Sequence, residues 1–385
     1  MKKLLTILLC LVISVSLFAQ TDVRSLGMGG NHITDYSDIY TVQRNPAGLG
    51  LSKNHNLSTN LQVDVSGPLT EIVDIATTYV SNSSNEFMTE EEANAVTEEL
   101  TNSLINLIKE NNGLTLNLDV VGPIQFGFIK NGLGMFFTED IYADVKVPSV
   151  QKIQANVGVT ANLILGYGHK LSLGKHSLSL GVSGNIFSDA LSLGVDGPAT
   201  EISNMIQDLS KLKSYSMLGY GIDAGVQYNY GKTLSFGAVY KNIIAPTYTI
   251  DMPINEEITL DYANGVKGKL EPSLAVGIGV NIPTKIFLGI VSSWTVYADY
   301  DNVLNLIDNS KVSRNPILDF SAGTEIVLLK SIALRAGINE SYLSAGCGIR
   351  LGSFHVDAAI FGSELGLEPG TKPQLNASVS VSFHK

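Results

Sequence analysis

The stretch Gln374-Leu375-Asn376-Ala377-Ser378-Val379-Ser380-Val381-Ser382-Phe383-His384 alternates without a fault. Leu375, Ala377, Val379, Val381 and Phe383 fall on one side, and Asn376, Ser378, Ser380 and Ser382 on the other. Successive side chains of a β-strand point to opposite faces, so this segment has one oily face and one face of small polar groups. It is a strand between oil and water. In a closed sheet a last strand of this kind pairs with the first and leaves no edge.

Upstream, runs of the same kind recur at 55–65, 114–129, 132–145, 156–170, 176–193, 216–230, 233–245, 272–281, 286–300, 317–329, 331–338, 342–351 and 354–361. With the final strand this makes about fourteen, an even number within the range of antiparallel membrane barrels. The even-numbered connections, two to twelve, are short: 130–131, the region around Gly174, 231–232, 283–284, Lys330 and 352–353. Connections one, three, five, seven, nine and thirteen are read as long, among them 66–113, 194–215 and 246–271. Short turns on one side and long loops on the other are expected of an outer-membrane barrel and not of a soluble sandwich. The eleventh connection, 339–341, is short where length is expected. The fold class predicted is an all-β, transmembrane antiparallel β-barrel of about fourteen strands.

Bulk composition supports that class. Hydrophobic residues make up 44% of the 385, charged residues only 16%, and there are 37 glycines. Mean hydropathy is +0.18. No run approaches the roughly 18 apolar residues that a spanning helix needs, whereas alternating strands can be half greasy without any long greasy run. At the start, Met1-Lys2-Lys3 precedes an apolar run from Leu4 to Phe18, then Ala19 and Gln20. That is the pattern of a secretory signal peptide cut after Ala19, and Cys10 within it is a poor match to a lipoprotein site. Removing it leaves Cys347 alone, so no internal disulfide is possible. The net charge of −11 becomes −13 when Lys2 and Lys3 leave (−11 − 2). An acidic surface repels nucleic acid, which excludes that partner class.

Residues 21–50 do not read as a strand. Ser25-Leu26-Gly27-Met28-Gly29-Gly30 is followed by Arg44-Asn45-Pro46-Ala47-Gly48-Leu49. Glycines allow tight turns, and Asn45 before Pro46 is held out of the helical region, so the segment is compact and irregular. A Gly-Met-Gly-Gly run followed by Asn-Pro-Ala-Gly-Leu resembles the N-terminal plug of the long-chain fatty acid transporter (FadL-like) superfamily, which includes PorV-like and TraF-like proteins. The resemblance extends to Leu334-Arg335-Ala336-Gly337-Ile338-Asn339 and Val356-Asp357-Ala358-Ala359. It implies a hatch folded inside the barrel, with Gly27, Met28, Gly29, Gly30, Asn45, Pro46 and Ala47 forming or gating it. It divides the chain into a signal peptide (1–19), a plug (20–54) and a barrel (55–385).

Two long loops carry helical periodicity. Thr89 and Glu92 have capping-box spacing, with Ala93, Val96, Leu100, Leu104, Leu107 and Ile108 after them; Ile202, Met205, Ile206, Leu209 and Leu212 repeat the period. These stripes either line an apolar groove above the mouth or pack on other loops. On the late strands the alternation puts Asp299, Asp319, Glu325, Arg335, Arg350, His355 and Asp357 on the lumen side, as a charge network. Ile332, Leu334, Leu343, Ile349, Val356 and Ile360 face lipid. Gly122-Pro123 interrupts the second strand, where proline cannot donate to the ladder. In the family resembled, a strand kink opens a lateral exit, and Gly122-Pro123 is the equivalent candidate.

No catalytic or metal residues are assigned and no cofactor is expected: the six histidines lack metal-ligand spacing, there is no Gly-x-Ser-x-Gly, and Gly219-x-Gly221-x-x-Ala224 lies inside an alternating run. The function expected is passive uptake of hydrophobic small molecules, such as long-chain fatty acids, by a monomer in the bacterial outer membrane. Its partners would be lipids, hydrophobic small molecules and the assembly machinery that reads the C-terminal strand. The alternative is an accessory or docking barrel of a protein secretion or conjugal transfer system. An apolar tunnel favours the first; a filled lumen favours the second.

Overall fold

The computed structural model describes residues 21–30, 32–83, 98–99, 102–103, 105–111, 113–122, 124–149, 151–198, 213–251, 264–285, 289–307 and 314–384. The signal peptide, Thr89, Glu92, Ala93, Val96, Leu100, Leu104 and the whole 202–212 stripe therefore lie outside the described residues.

Alternating sequence becomes seventeen strand segments in one sheet. They are β1 (His55–Gly67), β2 (Leu114–Val121), β3 (Phe126–Lys130), β4 (Leu133–Ser149), β5 (Lys152–Leu173), β6 (His176–Pro198), β7 (Lys213–Tyr230), β8 (Leu234–Ile244) and β9 (Pro246–Asp251). The second half is β10 (Val266–Lys269), β11 (Ser273–Asn281), β12 (Val291–Tyr300), β13 (Phe320–Leu328), β14 (Ile332–Asn339), β15 (Tyr342–Leu351), β16 (Phe354–Glu364) and β17 (Pro373–His384). β2 with β3, β8 with β9, and β10 with β11 each make one interrupted wall strand, so the barrel has 14 antiparallel strands. β17 closes on β1, from Ser58 opposite His384 to Gly67 opposite Leu375.

The pleat sorts side chains as the sequence pattern requires. On β17, Gln374, Asn376, Ser378 and Ser380 are buried inside while Leu375, Val379 and Val381 are exposed outside. Ile332, Leu334, Leu343, Ile349, Val356 and Ile360 are all exposed on the outer surface. A sealed ring with an outward apolar band and no edge suits hydrocarbon, where every backbone group needs an internal partner.

The wall is uneven. β14 has 8 residues and β17 has 12, whereas β5 has 22 and β6 has 23. At ~3.3 Å per residue, eight residues match an apolar band of about 25 Å, and strands of more than twenty overshoot it. This corrects two connection lengths. The third connection is tight, because β4 runs on to Ser149 and β5 resumes at Lys152. The eighth is longer than 283–284, because β12 begins only at Val291, after a turn at 289–290. Similarly, 317–319 is a 3-10 turn (Pro316–Asp319), since Pro316 removes a ladder donor and the Asn315 side chain accepts from Ile317 N at 3.1 Å. At Glu340 and Ser341 both φ values are positive, which closes the short eleventh connection as a two-residue hairpin.

A helix outside the two predicted loop stripes, α3 (Leu69–Ser83), follows β1. Its Ile72 and Ile75, with Leu107 and Ile108, pack on Leu114, Leu116, Val145, Val147 and Ile153 at the projecting ends of β2, β4 and β5. The described part of the first loop stripe therefore covers the chain's own strands.

Candidate functional site

Residues 21–54 fill the lumen. α1 (Val23–Leu26), α2 (Thr41–Arg44) and a 3-10 turn (Pro46–Gly50) are almost wholly buried. Asp22 caps α1, and the Asn45 side chain caps the turn by accepting from Ala47 N at 3.0 Å, which is why Asn stands before Pro46.

Glycines on the wall let this segment come within backbone distance at two places. On one side Gly168, Gly181 and Gly225 stand directly opposite one another across β5, β6 and β7. A Cβ on Gly168 would lie 2.6 Å from Gly50 N and Pro46 O, and one on Gly181 or Gly225 would collide with Pro46, Ala47 or Asn45. On the other side the paired Gly323 and Gly337, and Gly346 on β15, receive Gly27 and Met28. Gly29 has φ +86° and a Cβ there would sit 2.6 Å from Ile338 O, so this residue must be glycine both for its backbone and for its neighbour. Gly30 has φ +122° and its N–H donates to Ser25 O at 2.9 Å.

Charge ties the same segment together and to the wall. Arg44 is fully buried and donates to Asp22 at 2.7 Å and to Asp38 at 2.9 Å. Arg24 donates to Asp35 at 2.5 Å, Asp38 at 3.2 Å and Glu325 at 2.9 Å. Glu325 also accepts from Arg335 at 2.8 Å, and Arg335 reaches Asp357 at 2.6 Å. Arg350 is more loosely held, 3.6 Å from Glu325. Burial pushes the Asp35 carboxyl up, but Arg24 and Arg44 outweigh it and hold the group well below the usual carboxylate range. Asp299 makes a separate link, with His32 Nδ1 at 2.5 Å and Ile33 N at 3.1 Å.

Thus Glu325, Arg335, Arg350 and Asp357 join directly, Asp299 meets the plug elsewhere, and His355 lines the adjoining cavity beside His384. Asp319 is not part of the network: it ends the 3-10 turn before β13 instead of lying on a strand's inner face. The plug partners Asp22, Arg24, His32, Asp35, Asp38 and Arg44 were not singled out from sequence. Five charges of both signs within 22–44, in a segment destined for a lumen, were the available signal.

The wall itself has a defect. Val121 pairs with Gln62 and Asp140, and Phe126 pairs with Thr59 and Phe137. Between those pairings the interrupted strand holds residues 122–125, while β1 holds 60–61 and β4 holds 138–139. Four residues face two on either side, so the ladder breaks on both edges. Gly122 takes φ +93° and its N–H donates to Glu139 O at 2.7 Å. Pro123 lies outside the described residues. From within, the buried Tyr40 of the plug stands behind the break. Its hydroxyl receives Asn60 Nδ2 at 2.9 Å and donates to Gln125 Oε1 at 3.3 Å, and its ring packs on Phe136 at 5.2 Å. Asn60 Oδ1 and Gln125 Nε2 are buried without a hydrogen-bond partner among the described residues.

Two cavities flank the plug. One of about 440 Å³ opens on the short-turn side and is lined by Arg24, Asp35, Tyr40, Arg350, His355 and His384, among others. One of about 350 Å³ lies on the long-loop side, lined in part by Asp64, Asp119, Asp140 and Asp144. Neither is the continuous apolar tunnel expected of a fatty-acid conduit.

No family model and no curated protein matches the chain. Among solved structures it is similar to the Pseudomonas putida toluene transporter TodX, at 12% identity and TM-score 0.43, covering 96% of this chain and 99% of that one. It is similar to the CymD monoaromatic hydrocarbon channel, at 11% identity and TM-score 0.45, covering 96% and 99%. A Pseudomonas aeruginosa FadL homologue is similar at 10% identity and TM-score 0.30, covering 96% and 99%.

Proposed function

We propose that the chain is a bacterial outer-membrane channel that admits small hydrophobic molecules and releases them sideways through its wall. The observation that carries this reading is the four-against-two mismatch at 122–125, backed by Tyr40. A polar solute travels along a barrel's axis and gains nothing from a break in the wall. An apolar one gains about 25 cal/mol for each Å² moved from water to lipid, and a lateral door gives it that path. The rim of the break is apolar on the outside, where Leu61, Leu118 and Ile124 are exposed. Long-chain fatty acids are one member of the substrate class.

Opening requires Tyr40 to leave Asn60 and Gln125. A ligand that binds the displaced arrangement more tightly shifts the plug towards it, and no energy source is needed. Deleting Pro123 and Ile124 leaves two residues against two and restores the ladder. We expect that variant to assemble as a heat-resistant barrel and to lose uptake of apolar solutes into proteoliposomes; unchanged uptake refutes the door.

The filled lumen supports a second reading, a docking barrel for a secretion or transfer machine, as PorV-like and TraF-like proteins suggest. Native mass spectrometry of the purified barrel separates the two: a bound apolar small molecule favours the channel, a stoichiometric polypeptide the docking role.

A further inference from the structure

Charge is distributed unevenly between the two ends of the barrel. The short turns and the strand ends that flank them, 50–63, 120–138, 163–188, 224–240, 276–298, 326–339, 341–356 and 377–385, contain none of the chain's 36 acidic residues, although its net charge is −11. The carboxylates that line the short-turn cavity lie inside the barrel, where Arg24, Arg44 and Arg335 hold them. Lysines do occur at the rim. Lys130 closes β3, Lys170 lies near the end of β5, Lys175, Lys232 and Lys330 stand in turns, and Lys285 lies between β11 and β12. All six are exposed. The rim is thus positive in an acidic protein, and positive around its circumference instead of on one flank.

Apolar side chains accompany these lysines. Exposed Leu133 pairs with Lys130 across the β3–β4 turn, and Leu173, 81% exposed, lies between Lys170 and Lys175. Leu329, 65% exposed, precedes Lys330 and donates its N–H at 2.9 Å to the carbonyl of Ile290, which is exposed as well. Tyr230 stands two residues before Lys232, and Phe128 two before Lys130, both exposed. Apolar groups this exposed at turn tips are unfavourable in water. The boundary between acyl chains and headgroups suits both members of each pair: the leucine or aromatic ring enters hydrocarbon, and the long apolar stem of lysine lets its ammonium reach a phosphate. Repetition around the ring calls for an occupant that surrounds the barrel. A lipid leaflet does so, and a protein seated on one flank does not.

We propose that the short-turn rim binds the anionic phospholipid headgroups of the leaflet on that side. The proposal requires the barrel to stand in a bilayer and is independent of which solutes it passes. The test is native mass spectrometry of the full-length barrel in micelles of an uncharged detergent, supplied with equal amounts of dioleoyl phosphatidylglycerol and dioleoyl phosphatidylcholine. Wild type is expected to retain phosphatidylglycerol about fivefold or more over phosphatidylcholine, and the ratio should fall as salt is raised, a reading that needs no variant. Lys130→Gln, Lys170→Gln, Lys232→Gln and Lys330→Gln together should bring the ratio close to unity. The same loss of charge at the long-loop end, by Lys109→Gln, Lys146→Gln, Lys267→Gln and Lys269→Gln, should leave it unchanged, and heat-modified migration reports whether each variant is folded. Equal retention of the two lipids by wild type overturns the proposal, as does a preference that survives in the folded rim variant or that the long-loop variant abolishes equally. An acidic protein that co-purifies with wild type and is lost from the rim variant, while the two lipids are retained alike, overturns it in favour of a protein partner.

Discussion

Gly168→Ala should unseat the plug without unfolding the barrel. The added Cβ would meet Gly50 N and Pro46 O at 2.6 Å, where ordinary contact begins at 3.4 Å, so the turn must retreat by about 0.8 Å (3.4 − 2.6). Both clashing atoms are backbone, and they belong to a segment whose capping and hydrogen bonds fix its shape, so no side chain can rotate away. Overpacking of this kind costs ~1–3 kcal/mol. Because the plug is a separate layer from the β5–β6 ladder, the cost falls on seating, about a 5- to 150-fold shift towards the displaced plug. Amide hydrogen exchange read by mass spectrometry should show faster exchange at 41–50, with the β13–β17 strands unchanged. Gly184→Ala is the control: its nearest neighbour, Gly221 O, would be 3.9 Å from the new Cβ. If the two variants exchange alike at 41–50, backbone-to-backbone docking does not hold the plug.

Arg44→Met keeps the volume of a fully buried side chain but strips Asp22 of its ion-pair partner and leaves Asp38 with Arg24 alone. Removing one partner from such a cluster costs ~3–5 kcal/mol, and trypsin should then cleave at Arg24 in the otherwise folded barrel, which resists in wild type. Val379→Arg places a charge on the outer face near mid-barrel and should cost ~2–4 kcal/mol with poor assembly, whereas Ser380→Arg, pointing inward, should be milder. Equal yields of heat-resistant barrel from both would contradict the facing.

The barrel was legible because alternation is a local signal. Each of fourteen runs carries its own inside and outside, and closure of β17 on β1 follows from having no edge to spare. Where the structure departs from the alternation, a different local force takes over. Pro316 and the Asn315 cap made a 3-10 turn of a stretch that alternates, and Asp319 ends that turn instead of standing on a strand. β4 and β5 continue beyond the height of the short strands because Leu107 and Ile108 cover their ends, something no period within a strand reveals. The plug's ion pairs were hidden for another reason. Arg24 and Glu325 are 301 positions apart, and a charged residue in a glycine-rich segment reads as solvated until a wall is placed around it.

The way the plug is held bears on how it can move. Towards β5–β7 and β13–β15 it docks through glycine rows, where a displacement of tenths of an ångström already costs contact, and Glu325 fixes Arg24 between them. Towards β3–β5 it presents Ile39, Tyr40, Val42 and Leu49 to Ile129, Phe136 and Ile164, an apolar and non-directional contact. The only directional restraints on that side described above are those of the Tyr40 hydroxyl with Asn60 and Gln125, and that cluster already contains two orphaned polar atoms. The least costly motion is therefore not expulsion of the plug along the axis, which breaks the Arg24–Glu325 and His32–Asp299 links and both glycine contacts. It is a tilt that keeps the glycine rows and the Arg24–Glu325 link and carries Tyr40 away from residues 122–125. In the proposed channel the gate and the break then coincide, and the plug would open the wall without leaving the barrel.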